Sequence, residues 1–97
     1  MFTLEDVETI ENGGEDYFMS LQRAINSGSA WSLQGSYGRA AMTAIEDGNC
    51  MLGTTRATDY WGNRIPSRDD VKEGSKGSRA YVVECCSEEW AAKMEAV

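Results

Sequence analysis

The chain reads as an α+β fold, with an N-terminal helical hairpin and a third helix packed on a small antiparallel sheet, closed by a short C-terminal helix. Three observations carry that reading. Apolar residues recur at helical spacing through the first half of the chain. Asn12-Gly13-Gly14, Asn26-Ser27-Gly28 and Gly48-Asn49 punctuate that half into separate helices. After Gly48 the pattern changes to β-branched and aromatic residues around a Gly62-Asn63 turn.

Thr3 is placed to cap a first helix whose opening turn carries Glu5 and Asp6, and Leu4, Val7 and Ile10 give it one narrow apolar stripe. A helix this short must be held by packing rather than propensity. A second helix is expected from about Glu15 to Asn26, with Phe18, Leu21 and Ile25 inward and Tyr17 and Ala24 widening the stripe. Trp31 and Leu33 alternate with Ser32 and Gln34, which predicts a short extended segment. The next helix runs from Ser36 to about Asp47, with Ala41, Met42 and Ile45 as its apolar face and Gly48 in the left-handed position after its end.

The remainder carries the β signals. Cys50-Met51-Leu52 is an apolar run, and Thr54 to Thr58 is rich in β-branched residues. Tyr60-Trp61 leads into the Gly62-Asn63 turn, and Arg64-Ile65 returns before Pro66 blocks further central pairing. Residues 69–78 read as an exposed loop. Arg79 to Cys86, centred on Tyr81-Val82-Val83, is predicted as the strongest strand. Ser87 then caps a final helix containing Trp90, Ala91 and Met94.

Ninety-seven residues support one domain with a modest core, so residues 1–97 are taken as a single unit for which self-association is a route to added stability. The net charge of −7 disfavours extended nucleic-acid binding, which rests on neutralising phosphates. That charge is uneven. Residues 1–38 hold six acids and one base, residues 39–79 six acids and seven bases, and residues 80–97 four acids and one base. Acidic ends thus flank a nearly neutral middle that contains most of the arginines. No apolar run is long enough to span a bilayer, the N-terminus lacks the pattern of a signal peptide, and Cys50, Cys85 and Cys86 are odd in number. A cytoplasmic protein with reduced thiols, no membrane association and no cofactor is expected.

The chain contains no histidine, which excludes Ser-His-Asp and Cys-His catalysis and the HExxH zinc arrangement. Three cysteines without metal-ligand spacing do not make a zinc site. The pairs Asp69-Asp70 and Glu46-Asp47 lack the alternation of a calcium loop. On a strand, Cys85 and Cys86 would face opposite ways, one to the core and one to the surface. No catalytic residue and no metal ligand is assigned, and the protein is expected not to be an enzyme.

Two stretches carry recognition chemistry. Gly35-Ser36-Tyr37-Gly38-Arg39 places glycines, a hydroxyl and a guanidinium at a helix start, where free N–H groups attract anions. Gly35, Ser36, Gly38 and Arg39 are therefore candidate anion ligands, echoed by Gly74-Ser75-Lys76-Gly77-Ser78-Arg79. The alternative is that Ser36 caps the helix and Gly38 permits a close packing contact. Tyr60, Trp61, Asn63, Arg64 and Arg68 combine the residue types enriched at protein interfaces on one predicted turn. Against that stands a hairpin whose aromatics fold back over a small sheet.

These same residues resemble small accessory proteins of tailed bacteriophages. The likeness runs through Trp31-x-Leu33-x-Gly35-Ser36-x-Gly38-Arg39-Ala40, Asp47-Gly48-x-Cys50-Met51-Leu52-Gly53 and Tyr60-Trp61-Gly62-Asn63-x-x-Pro66-Ser67-Arg68. It implies a non-enzymatic protein in the host cytoplasm that binds a host protein and modulates or inhibits it, including components of bacterial defence. It carries no established motif from which a residue's role follows. A small anion- or nucleotide-sequestering module and a minor oligomeric assembly protein are the other functions the residues allow.

Overall fold

A computed structural model describes residues 2–14, 16–32, 35–59 and 61–97 of the chain. Thr3 opens α1 (Leu4–Asn12) with a capping box, its side chain accepting from the Asp6 amide while Asp6 accepts from the Thr3 amide. α2 (Tyr17–Ser27) ends at Gly28 in the left-handed conformation. A single helical turn follows, α3 (Ser29–Ser32), then α4 (Gly35–Glu46). After a buried irregular stretch, β1 (Ala57–Thr58) and β2 (Arg64–Ile65) pair antiparallel, Ala57 opposite Ile65 and Thr58 opposite Arg64. α5 (Arg79–Cys85) and α6 (Glu88–Glu95) finish the chain. The described residues are thus mostly helical, with one small two-stranded sheet, an arrangement compatible with α+β. Among them no helix is long and apolar enough to cross a membrane.

The β signals at residues 50–52 and 54–56 form no strand, the first regular strand being Ala57–Thr58, and two further expectations about local structure are overturned. Trp31-Ser32 lies in the helical turn α3, not an extended segment, while Leu33 and Gln34 fall outside the described residues. Arg79–Cys85 is helical despite its β-branched centre. The Ser78 hydroxyl accepts from the Tyr81 amide and starts a helix, and a single buried residue, Val82, anchors it. Arg79 then clasps α6 through Glu88 and Glu95. Cys85 and Cys86 consequently sit at a helix end, both exposed, while Cys50 alone is buried.

The core is built around α2. Leu21, Ala24 and Ile25 meet Trp31 from α3, Ala41, Ala44 and Ile45 from α4, Val82 from α5, and Ala91 and Met94 from α6. Phe18 sits edge-on to Trp90, with ring centroids 6.1 Å apart. The inward stripe predicted for α1 is only partial, since Val7 and Ile10 are half-buried and Leu4 stands 82% exposed. α1 docks through Ile10, packed against the core, and through a buried acid. Asp6 accepts from the Ser20 hydroxyl at 2.9 Å and from Arg23 at 2.8 Å, both on α2.

The segment Gly48–Gly53 passes through this core without regular structure, and its backbone is satisfied from both flanks. Gln22, fully buried on α2, accepts from the Met51 amide at 2.9 Å and donates to the Met51 carbonyl at 2.8 Å. The Leu52 amide donates to the Gly77 carbonyl, and the Leu52 carbonyl accepts from Arg68 Nε at 2.8 Å. Arg68 also reaches Asn26, and its own amide donates to the Gly53 carbonyl. Gly77, at φ +94°, lies so close to Leu52 that an added Cβ would stand 2.6 Å from Leu52 Cδ1. This buried thread fixes where β1 leaves the core, and so where the ribbon stands.

Candidate functional site

A cleft of about 980 Å³ opens between α3, α4 and the ribbon. Ala30 and Trp31 form its floor from α3; Gly35, Gly38, Arg39, Met42, Thr43 and Glu46 form the α4 wall; Asp59, Trp61 and Ile65 face them from the ribbon. The lining is chiefly apolar, with charges at its edges. β1 itself meets α3, which sets the ribbon across the cleft from α4.

The ribbon's turn is organised by Asp59. Its carboxylate accepts from the Trp61 amide at 2.9 Å, the Asn63 amide at 2.8 Å and the Asn63 side chain at 3.2 Å. Its backbone closes the turn, the amide donating to Asn63 and the carbonyl accepting from Gly62. Desolvation raises the Asp59 pKa, but the hydrogen bonds from Asn63, Trp61 and Gly62 outweigh it and hold the carboxyl below its ordinary value. The turn is therefore braced, and it presents Trp61 at 82% exposure. Tryptophan is among the residue types enriched at the centres of protein interfaces.

The structure divides the residues singled out from sequence. Trp61 lines the cleft, and so do Gly35, Gly38 and Arg39, so parts of the two predicted sites meet in one place. Asn63 and Arg64 are exposed on the ribbon, and Arg64 lines a second cleft of about 610 Å³ with Arg56, Pro66 and Asp70 on the opposite side of Ile65. Arg68 lies inside, 9% exposed, where burial pulls its pKa down and its guanidinium holds the Leu52 carbonyl. Tyr60 lies outside the described residues. Ser36 is exposed within the first turn of α4 rather than at its cap.

Gly38 lies against the Ala30 carbonyl, where an added Cβ would make ordinary contact at 3.6 Å. Arg39 reaches back over the first turn, its Nη1 3.4 Å from where a Gly35 Cβ would be. The echo at Gly74–Arg79 does not reach the cleft. There Gly77 packs on Leu52, Ser78 caps α5 and Arg79 is committed to Glu88 and Glu95. Sequence reasoning missed Met42 as a surface residue and Glu46 as a cleft residue. The spacing places Met42 on the apolar face, yet it is 42% exposed because the buried face of α4 runs through Tyr37, Ala41, Ala44 and Ile45.

Chemically the cleft can hold an apolar group between two tryptophans and a methionine, flanked by one cation and two carboxylates. No group of three or more metal-ligating side chains occurs among the described residues. Of the acid pairs considered, Asp70 is engaged by Arg56 in a two-pronged bond and by Ser67. These features describe a small, mainly helical domain with an open, chiefly apolar cleft. The chain belongs to the family described as a domain of unknown function, DUF7417, whose model matches residues 4–63. No curated protein and no solved structure matches it.

Proposed function

We propose that the protein is a non-enzymatic binding protein that docks on another protein through the ribbon, with Trp61 as the anchor and Asn63 and Arg64 beside it. Following its likeness to bacteriophage accessory proteins, the partner is a host protein in the cytoplasm, a defence component among them, whose activity it modulates or inhibits. The observation that carries this reading is the exposure of Trp61 on a turn that Asp59 holds in shape. A pre-shaped turn loses little freedom on binding, so more of the ring's burial appears as affinity.

Capture from host lysate, compared between the native chain and Trp61→Ala, tests the proposal. A specific partner should be retained by the native chain and bound roughly 30-fold more weakly by the variant, the ~2 kcal/mol of an interface anchor. Identical capture by Trp61→Ala and by a Trp61→Ala/Arg64→Ala double variant would remove the ribbon from the reading.

An anion- or nucleotide-binding module is the second reading, favoured by Arg39 over the start of α4 and by Trp31 and Trp61 in the same cleft. Glu46 and Asp59 weigh against it, because both carboxylates line that cleft and repel a phosphate. Titrating the tryptophan fluorescence with nucleoside triphosphates separates the two readings, and no response is expected.

A further inference from the structure

The exposed face of α4 has a charge pattern that neither the fold nor the helix itself explains. Arg39, Met42, Thr43 and Glu46 follow one another at helical spacing along the cleft wall, all exposed. Arg39 and Glu46 lie seven residues apart, about 10 Å along the axis. Neither side chain has an ion pair or hydrogen bond to another described residue. Glu46, at the last position of the helix, also opposes the helix dipole, while Arg39 lies in the second turn, beyond the dipole's main reach. Local energetics would prefer a base at that end.

We propose that this face is the contact surface of a homodimer in which two copies of α4 pack antiparallel. The pattern is self-complementary about the midpoint between Met42 and Thr43. A two-fold axis through that point sets Arg39 against Glu46 of the partner subunit and, by symmetry, Glu46 against Arg39 of the partner subunit. Met42 meets Met42 of the partner subunit at the centre. That is the requirement for an isologous interface, in which one patch is its own complement. Antiparallel packing also sets the N-terminal end of each helix beside the C-terminal end of the other, so the dipoles attract. A single foreign ligand would satisfy the two charges only if it carried the opposite charges at this spacing, which a second copy does by construction.

Mass in solution, measured by light scattering or sedimentation across a concentration series, reads the outcome directly. The native chain should reach twice its monomer mass. Arg39→Glu places two acids against two acids, and Glu46→Arg places two bases against two bases. Each alone should weaken association by about ten-fold or more. Mixing the two variants restores opposite charges at both contacts, so a dimer should reappear only in the mixture. Glu46→Arg suits the helix dipole and neither reversal touches a buried group, so the variants should fold, which circular dichroism confirms. A native chain that stays monomeric at its highest soluble concentration overturns the proposal. So does a dimer indifferent to both reversals, or a mixture that remains monomeric. No foreign protein enters this measurement, so its result is independent of the ribbon's role in recognition.

Discussion

Gln22 is the residue whose role differs most from its chemistry on paper. A glutamine between Leu21 and Arg23 reads as surface, yet its amide occupies the interior and completes both hydrogen bonds of Met51. Removing it leaves a buried N–H and a buried carbonyl without partners, each costing on the order of 1–3 kcal/mol. Gln22→Ala should therefore lower unfolding free energy by about 2–4 kcal/mol, read from the urea midpoint. Gln22→Met keeps most of the volume and should lose nearly as much, whereas a cavity-dominated effect would be largely rescued. Arg68 follows the same logic. It sits in an arginine-aromatic stretch that suggests an interface, but Leu52 and Gly53 need donors where no helix or strand supplies them. Neither role leaves a mark on local sequence, because both are set by contacts 15 or more positions away.

The elements whose boundaries are legible are those fixed by near neighbours. Thr3 and Ser87 cap their helices through hydrogen bonds three residues on, and Gly28 stops α2 in the left-handed conformation. The hairpin turn likewise follows from Asp59, Gly62 and Asn63. α5 was not legible, because Tyr81-Val82-Val83 suits a strand equally well and the choice falls to the Ser78 cap and to packing against α6. α1 shows how a marginal element is held. Desolvation raises the Asp6 pKa, but hydrogen bonds from Ser20, Thr3 and Arg23, with the Arg23 charge, outweigh it and leave the carboxyl below its ordinary value. A carboxyl with a lowered folded pKa contributes stability above its unfolded value near 3.8, and loses it as pH falls through the folded value. Asp6→Asn should cost about 1–3 kcal/mol at pH 7 by thermal melting. The gap from the native chain should narrow steadily below about pH 4; a gap that is constant with pH would mean that Asp6 acts through shape alone.

At the scale of the whole molecule, the buried thread from Gly48 to Gly53 ties the two halves together. Its partners come from α2 before it and from Arg68 and Gly77 after it, so neither side opens alone without exposing unpaired backbone. Cys50 reports on this directly. It is fully buried, and burial pushes its thiol up to about 12, while Cys85 and Cys86 are exposed. A maleimide at neutral pH should label the two exposed thiols and reach Cys50 only at the rate of global unfolding, measured by mass spectrometry of digested samples. Rapid labelling of Cys50 under native conditions would show that the thread opens locally.

The thread has one more implication, which concerns where the family likeness stops. The matched region ends at residue 63, but the interior does not. Val82, Ala91 and Met94 fill its far side, and Arg68 and Gly77 complete its backbone bonding. The shared stretch is an open shell, and the final third of the chain is the plug that seals it. A chain with this same shared stretch but other residues beyond position 63 would be left with that vacancy. It must fill that space with other apolar side chains and find another donor for the carbonyl of Leu52.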